Sequence, residues 1–176
     1  MGKVALLEKL VGVSEGANLV GMDLSGLSLA HIRLRRAKLA GANLTGADLA
    51  QADLTEADLR GAILIAANLA QASLFGSNLE GADLTQANLA GANLAAAGLK
   101  TANLRGAILA AADLQGADLE AANLVGANLR GSRLEDANLQ KADLRKVDLS
   151  QTDLTYTELQ GAILTNSQLD QKPFPW

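Results

Sequence analysis

Carboxylates are the only side chains in this sequence that are numerous enough to suggest catalysis or metal binding. Ten aspartates each stand directly before a leucine, and they could act as acid–base groups or calcium ligands if they met at one place. They are spread along the whole chain, so we expect them to bond backbone groups at turns. There is no cysteine, one histidine (His31) and no glycine-rich phosphate loop. The sequence therefore predicts a protein without catalytic residues, cofactors or metal sites.

The aspartates belong to a five-residue repeat. Leucine occupies every fifth position from Leu19 to Leu169, thirty-one times, without an insertion or a deletion. Alanine stands two residues before the leucine in twenty-two units, and asparagine or aspartate stands directly before it in twenty. The unit therefore reads A-(N/D)-L-x-x. A fixed period of this kind is typical of a solenoid.

The period of five excludes a continuous helix, in which the leucines would scatter, and a straight strand, in which they would alternate between faces. The chain must turn once per unit, so that each leucine points inward. Charges indicate how many units close a coil, because residues one coil apart stack at ~4.8 Å. At a separation of 20 every charged pair in the repeats is opposite, whereas 15 and 25 also bring like charges together. The pairs are Arg33/Asp53, Arg36/Glu56, Lys38/Asp58, Arg60/Glu80, Glu80/Lys100, Lys100/Glu120, Asp113/Arg133 and Arg133/Asp153.

Four units per coil also predict the interior and the corners. Leucine and the alanine before it should fill the interior, so Leu94 should be buried and Thr55 should lie on the surface. Thirteen units have glycine two residues after the leucine, which favours corners with positive φ. Other corners carry Gln51, Lys141 or Tyr156, and we therefore expect the corner geometry to vary.

The tandem A-(N/D)-L-x-x unit closely resembles the pentapeptide repeat proteins over residues 17–171, and thirty-one consecutive units make the match highly specific. The resemblance implies an all-β solenoid, a right-handed quadrilateral β-helix of about eight four-sided coils. The strict leucine and the absence of loop insertions are most similar to cyanobacterial members of the family.

Both ends are expected to carry caps. Apolar residues at helical spacing predict a short capping helix within residues 1–16, which would cover the edges of the first coil. Residues 172–176 form a tail that cannot continue the repeat, and its Phe174 and Trp176 can lie over the last leucine layer as a plug. The alternative is a dimerisation contact, because some relatives associate through their C-terminal ends. The sequence thus predicts a monomer, or a dimer through that end.

A few outward positions suggest a surface for an unidentified protein partner. Ile63, Ile65 and Phe75 stand where polar residues are usual in this repeat. A column of small residues that includes Ala50, Ala70 and Ala90 could pack closely against another surface. Isolated exposed apolar residues are also ordinary on soluble proteins, so simple decoration of the rod is the alternative.

Two functions fit these residues. The first is a non-enzymatic structural or protein-interaction rod, which acts through protein contacts. The alternative, suggested by the quinolone-resistance members of the family, is a DNA mimic that modulates DNA gyrase. The net charge of −4 disfavours mimicry, because duplex DNA of the same ~37 Å length carries about 22 charges. Direct nucleic-acid binding is not expected, because the sequence lacks a basic face. Membrane insertion and secretion are not expected either, because no apolar segment is suited to them, and the expected location is therefore cytoplasmic.

Overall fold

The computed structural model of the chain describes residues 15–167. Within that range the backbone winds in parallel coils, and each isolated β-bridge joins two residues that are 20 apart, from Asn18↔Lys38 to Asp143↔Ile163. One coil therefore holds four pentapeptides, as the charges predicted. Each unit supplies a single bridge residue, so residues 15–167 contain neither a helix nor a strand longer than one residue.

Each coil has four sides, which we number by their leucines. The leucine lies in the middle of a side and faces the interior, and the residues directly before and after it face outward. Side 1 contains Leu19 and every twentieth residue after it, side 2 begins at Leu24, side 3 at Leu29 and side 4 at Leu34. Sides 2 and 4 are therefore opposite each other, as are sides 1 and 3.

The backbone hydrogen bonds explain why this unit forms a coil. In the unit Ala42–Gly46 the first N–H donates to a leucine carbonyl across the preceding corner, at 2.9 Å. The second, third and fifth N–H groups donate to carbonyls of the two adjacent coils, at 2.7 to 2.9 Å. The fourth, that of Thr45, donates to Oδ1 of Asn43 at 3.1 Å. All five donors are satisfied, as a compact backbone requires.

The corners are uniform, which corrects the expectation that they would vary. In each corner that follows a leucine, the N–H of the residue three positions after that leucine donates to its carbonyl. The third residue has positive φ at every corner described: fourteen are glycines, and seventeen are other residues, among them Gln51 (φ 57), Lys141 (φ 60) and Tyr156 (φ 56). This is the geometry of a type II turn. The coil imposes it even on residues for which a left-handed backbone costs about 1–2 kcal/mol.

The interior is a stack of leucine and alanine side chains. Leu94 is 1% exposed, as predicted. Thr55 is buried (8% exposed), so its assignment to the surface was wrong. Its hydroxyl lies 2.9 Å from the hydroxyl of Ser73 on the next coil, and Phe75 follows it in the same outward column. Neighbours on the adjacent coil, which a reading along the chain does not reveal, therefore remove Thr55 from water.

Most of the two predicted caps lies outside the described residues. Of the capping helix expected within residues 1–16, the structure describes only Glu15 and Gly16, which belong to a turn. The tail at 172–176, with Phe174 and Trp176, is not among the described residues. The capping helix and the role of the tail therefore stay predictions.

Candidate interaction surfaces

The residue before each leucine is a surface side chain that completes the backbone. In all twenty units with asparagine or aspartate at this position, its Oδ1 accepts a hydrogen bond from the N–H two residues later, at 2.9 to 3.4 Å. The ten aspartates are thus each committed to one turn, as expected. Ten further described units lack this acceptor, and their corresponding N–H has no side-chain partner among residues 15–167. The residues in its place are Ser28, Arg33, Lys38, Ile63, Ser73, Gly98, Ile108, Arg133, Glu158 and Ile163.

Between coils these side chains form ladders with a direction. The amide group of Asn68 donates to Oδ1 of Asp48, one coil earlier, at 2.9 Å. Because the amide group points toward the earlier coil, an aspartate that follows an asparagine would turn its second oxygen toward the asparagine oxygen. Asp143 follows Asn123 in this way, and its second oxygen is bound by Arg145 at 2.6 Å. The order of asparagine and aspartate along a side therefore determines whether neighbouring side chains form a hydrogen bond or bring two oxygens together.

Ion pairs follow the coil register only in part. Three of the eight predicted pairs are ion pairs within 4 Å: Arg36–Glu56 (2.6 Å), Lys100–Glu120 (3.1 Å) and Arg133–Asp113 (3.2 Å). Arg60 was expected to pair with Glu80 but binds Asp58, two residues earlier on its own side, at 2.7 Å. An ion pair within one unit therefore competes with an ion pair between adjacent coils.

The paired carboxylates are held in their ionised form. A hydrogen bond from Arg145 lowers the pKa of Asp143. Hydrogen bonds from Lys141 and Lys100 lower the pKa of Glu120. A general acid near neutral pH would need a raised pKa. These carboxylates therefore act as fixed negative charges on the surface.

A band with almost no charge crosses the middle of the rod. Residues 61–99 contain only two charged residues, Glu80 and Asp83, whereas the equally long stretch 101–139 contains eight. We call residues 61–99 the charge-poor belt. The positions of the charged residues in the sequence indicate this belt, whereas the apolar residues taken one at a time do not.

Six of the eight predicted contact residues fall within the described residues, and they lie on three sides of the rod, in or next to this belt. Ile63 is 39% exposed and the half-buried Ile65 lies beside it on side 2, while Phe75 is 45% exposed on side 4. A flat partner cannot touch both opposite sides, so contact with all three would require a partner that extends across side 3. Side 3 carries the half-buried alanines Ala50, Ala70 and Ala90.

Residues 15–167 contain no group of three histidine, cysteine, aspartate or glutamate side chains that could hold a metal ion. No helix in that part of the chain is long and apolar enough to cross a membrane. His31 lies exposed at a corner with φ 61. The twenty-residue register of the bridges defines the class of this protein as a four-sided repeat solenoid.

The sequence of the repeat assigns this rod to a known family. A family model described as pentapeptide repeats matches in eight copies, and the matched stretches run from 17–55 at one end to 132–171 at the other. The chain belongs to the pentapeptide repeat family. A comparison with curated proteins finds no match.

Solved structures of the same family resemble the chain. HetL, a pentapeptide repeat protein involved in heterocyst differentiation regulation in the cyanobacterium Nostoc sp. strain PCC 7120, is 30% identical, with 94% of this chain and 93% of HetL covered and a TM-score of 0.35. The pentapeptide repeat protein alr5209 from Nostoc PCC 7120 is 38% identical over 61% of this chain and 84% of its own, with a TM-score of 0.32. Trypsin-treated QnrB1, a plasmid-mediated fluoroquinolone resistance protein, is 20% identical over 89% and 91%, with a TM-score of 0.62. This last likeness shows the fold alone.

Proposed function

We propose that the chain is a non-enzymatic protein-interaction rod and that the charge-poor belt is its contact surface. The observation that carries the proposal is that Ile63 and Phe75 are exposed where charged residues are rarest. The centres of protein interfaces are depleted in charged residues and enriched in aromatic ones. The belt combines both properties, and the charged coils on either side would form the polar rim.

A regulatory role through such contacts is part of the proposal. Its support is the 30% identity with HetL over almost the whole chain, since HetL is involved in the regulation of heterocyst differentiation. The partner of this chain is a protein whose surface presents apolar groups to the belt.

Photo-crosslinking tests the contact surface directly. Position 75 and position 115 lie in the same outward column of side 4, two coils apart, and both side chains are exposed. A benzophenone amino acid in place of Phe75 should crosslink a discrete protein in a lysate of the organism that makes the chain. The same amino acid in place of Gln115, outside the belt, should capture it at least about fivefold less. Equal capture at both positions, or none at position 75, would remove the belt as the contact surface.

The second candidate function is DNA mimicry directed at gyrase, and the distribution of charge argues against it. Within residues 17–167 side 4 is the most acidic, with six acidic and four basic residues, and side 2 is neutral, with three of each. Sides 1 and 3 each carry one net negative charge. A DNA mimic must present a dense field of one sign, as duplex DNA does with about one charge per ~1.7 Å.

A supercoiling assay with purified gyrase separates the two functions. We expect little effect at micromolar concentrations of the protein, because weak fields are screened beyond about 8 Å at physiological salt. Clear inhibition that weakens when salt is added, and when the aspartates of side 4 are replaced by asparagine, would favour mimicry over the interaction rod.

Three further features are proposed. A right-handed sense of the coil is taken from the family resemblance, whereas a capping helix within residues 1–16 and a cytoplasmic location are carried over from the expectations of the sequence analysis. Phe174 and Trp176 act either as an end plug or as a dimer contact. Light scattering on the chain with both aromatics replaced by serine distinguishes the two roles. Loss of a dimer at unchanged melting temperature supports the contact, and a lower melting temperature of a monomer supports the plug.

A further inference from the structure

Three successive units near the start of the described residues leave backbone donors open. Ser28, Arg33 and Lys38 stand where twenty other units have asparagine or aspartate. The N–H groups of Ala30, Arg35 and Ala40 consequently lack the side-chain acceptor that completes the backbone elsewhere. No other stretch of residues 15–167 lacks this acceptor in three consecutive units. The N–H groups point outward, since the missing acceptor would lie on the surface.

The same stretch carries the densest group of cations in the chain. We call Arg33, Arg35, Arg36 and Lys38 the basic collar. Arg36 is engaged by Glu56 at 2.6 Å and Glu15 at 2.9 Å, and Arg35 lies 3.5 Å from Asp53. The side chains of Arg33 and Lys38 form no ion pair within 4 Å with any described residue, and both are exposed. Within residues 15–167, two cations without an ion pair inside 4 Å therefore stand beside open N–H groups, and Lys38 faces Asp58 on the next coil.

We propose that the basic collar binds carboxylates of an acidic segment of a partner protein. On side 4 the guanidinium of Arg33 and the N–H of Arg35 supply a charge and a fixed donor, and on side 1 Lys38 and the N–H of Ala40 repeat the arrangement. Hydrogen bonds from charged or fixed donors to an oxyanion are among the stronger ones in proteins. The two subsites flank one corner, which fits a segment with acidic side chains on either side of a bend.

The next coil limits the ligand to a short anion. Asp53, Glu56 and Asp58 lie one coil from the collar and would repel a long polyanion that ran along the rod. Like charges at a few ångströms are unfavourable even in high dielectric. The collar therefore selects an acidic segment that crosses the rod along one coil, and it excludes a nucleic-acid backbone.

The chain contains a matched control for this site. Arg133 lies on the same side and at the same repeat position as Arg33, five coils later, and the N–H of Glu135 likewise lacks a side-chain acceptor. Arg133 is committed, however, to Asp113 at 3.2 Å and to Glu135 at 2.7 Å. An open N–H beside a neutralised arginine should bind a carboxylate much more weakly.

A nuclear magnetic resonance titration of the ¹⁵N-labelled full chain with the peptide acetyl-Gly-Glu-Glu-Gly-amide, at constant ionic strength, tests the proposal. The amide signals of Arg35 and Ala40 should shift with an apparent affinity at least about fivefold higher than that of Glu135. Replacement of both Arg33→Gln and Lys38→Gln should weaken binding about tenfold, while Arg133→Gln should leave it unchanged.

Equal shifts at Glu135, or shifts that survive the double replacement, would overturn the proposal. The same holds if inorganic phosphate shifts these amides and the peptide does not, because the ligand would then be a phosphate group. This inference rests on the proposed interaction function, but the collar lies outside the belt. Failure of the titration leaves the crosslink at position 75 intact, and failure of the crosslink leaves the titration intact.

Discussion

The charge-poor belt, residues 61–99, and the equally long stretch 101–139 have the same interior and opposite surfaces. Both contain buried leucine at every fifth position, and both turn each corner with positive φ. The belt carries two charged residues and the later stretch eight. The interior therefore tolerates very different outward charges, because the leucine, the alanine, the backbone hydrogen bonds and the asparagine or aspartate before many of the leucines close the coils of both stretches in the same way.

The largest expected effect tests whether the two interiors are equivalent. Leu94→Ala in the belt and Leu134→Ala in the charged stretch remove buried leucines from the same side, 1% and 0% exposed. Each should lower the free energy of unfolding by about 2–5 kcal/mol because of the cavity that remains. Denaturant titration should give two costs within about 1 kcal/mol of each other. A much smaller cost in one stretch would show that its core is packed differently.

Replacement of corner glycines should have the next largest effect. Gly91 in the belt and Gly116 outside it both have φ +65, and a new Cβ would meet at most ordinary contacts. Gly→Ala at either should therefore cost about 1–2 kcal/mol, from the left-handed backbone alone. Gly98, which lies on a side and lacks positive φ, is the control: Gly98→Ala should stabilise the chain by about 0.4–1 kcal/mol. Thermal melting of the three variants would contradict this account if Gly98→Ala were the most harmful.

The direction of the asparagine ladders predicts a smaller difference between the two regions. Asn138 donates to Asp118 at 3.2 Å, and Asn88 in the belt donates to Asn68 at 3.1 Å. Asn88→Asp loses one hydrogen bond, worth about 1 kcal/mol. Asn138→Asp loses the same bond and also stacks two carboxylates at ~4.8 Å, so its cost should be larger and should fall as salt is added.

Unfolding titrations at two salt concentrations measure this difference. If the two variants responded to salt in the same way, the stacking of charges across coils would not control stability. The variant Asn123→Asp, one coil before Asp143, provides a second case of stacked carboxylates.

The smallest expected effect is the response to acid. The pKa of Asp143 is lowered by Arg145, and that of Asp153 by the hydrogen bond from Thr155. A lowered pKa in the folded state means that the stabilisation is present above the ordinary value of 3.8 and is lost as the pH falls below it. The denaturation midpoint should therefore decrease between pH 6 and pH 3. Arg145→Gln should flatten that decrease, and an unchanged profile would mean that Asp143 does not contribute.

The register, the core and the turn bonding could be predicted from the sequence because they depend on strict spacing. The corners could not, because Gln51 and Tyr156 avoid positive φ locally and adopt it only under the constraint of the coil. The surface assignment of Thr55 failed for a related reason, since Ser73 of the next coil lies within hydrogen-bond distance of its hydroxyl and Phe75 stands in its outward column. The partners of long side chains were hardest to predict. Arg60 can reach either Asp58 or Glu80, and only the structure shows that it binds Asp58.

The twenty-residue coil determines how an insertion changes the side of the rod on which later residues lie. An insertion of four units after Leu69 would move every later residue along the axis by ~4.8 Å and return it to its own side. An insertion of one unit would keep each leucine inside but rotate the rest of the rod by a quarter turn, which would carry Phe75 from side 4 to side 1. Length can therefore vary in small steps without loss of the core, whereas the alignment of surfaces survives only in steps of a whole coil.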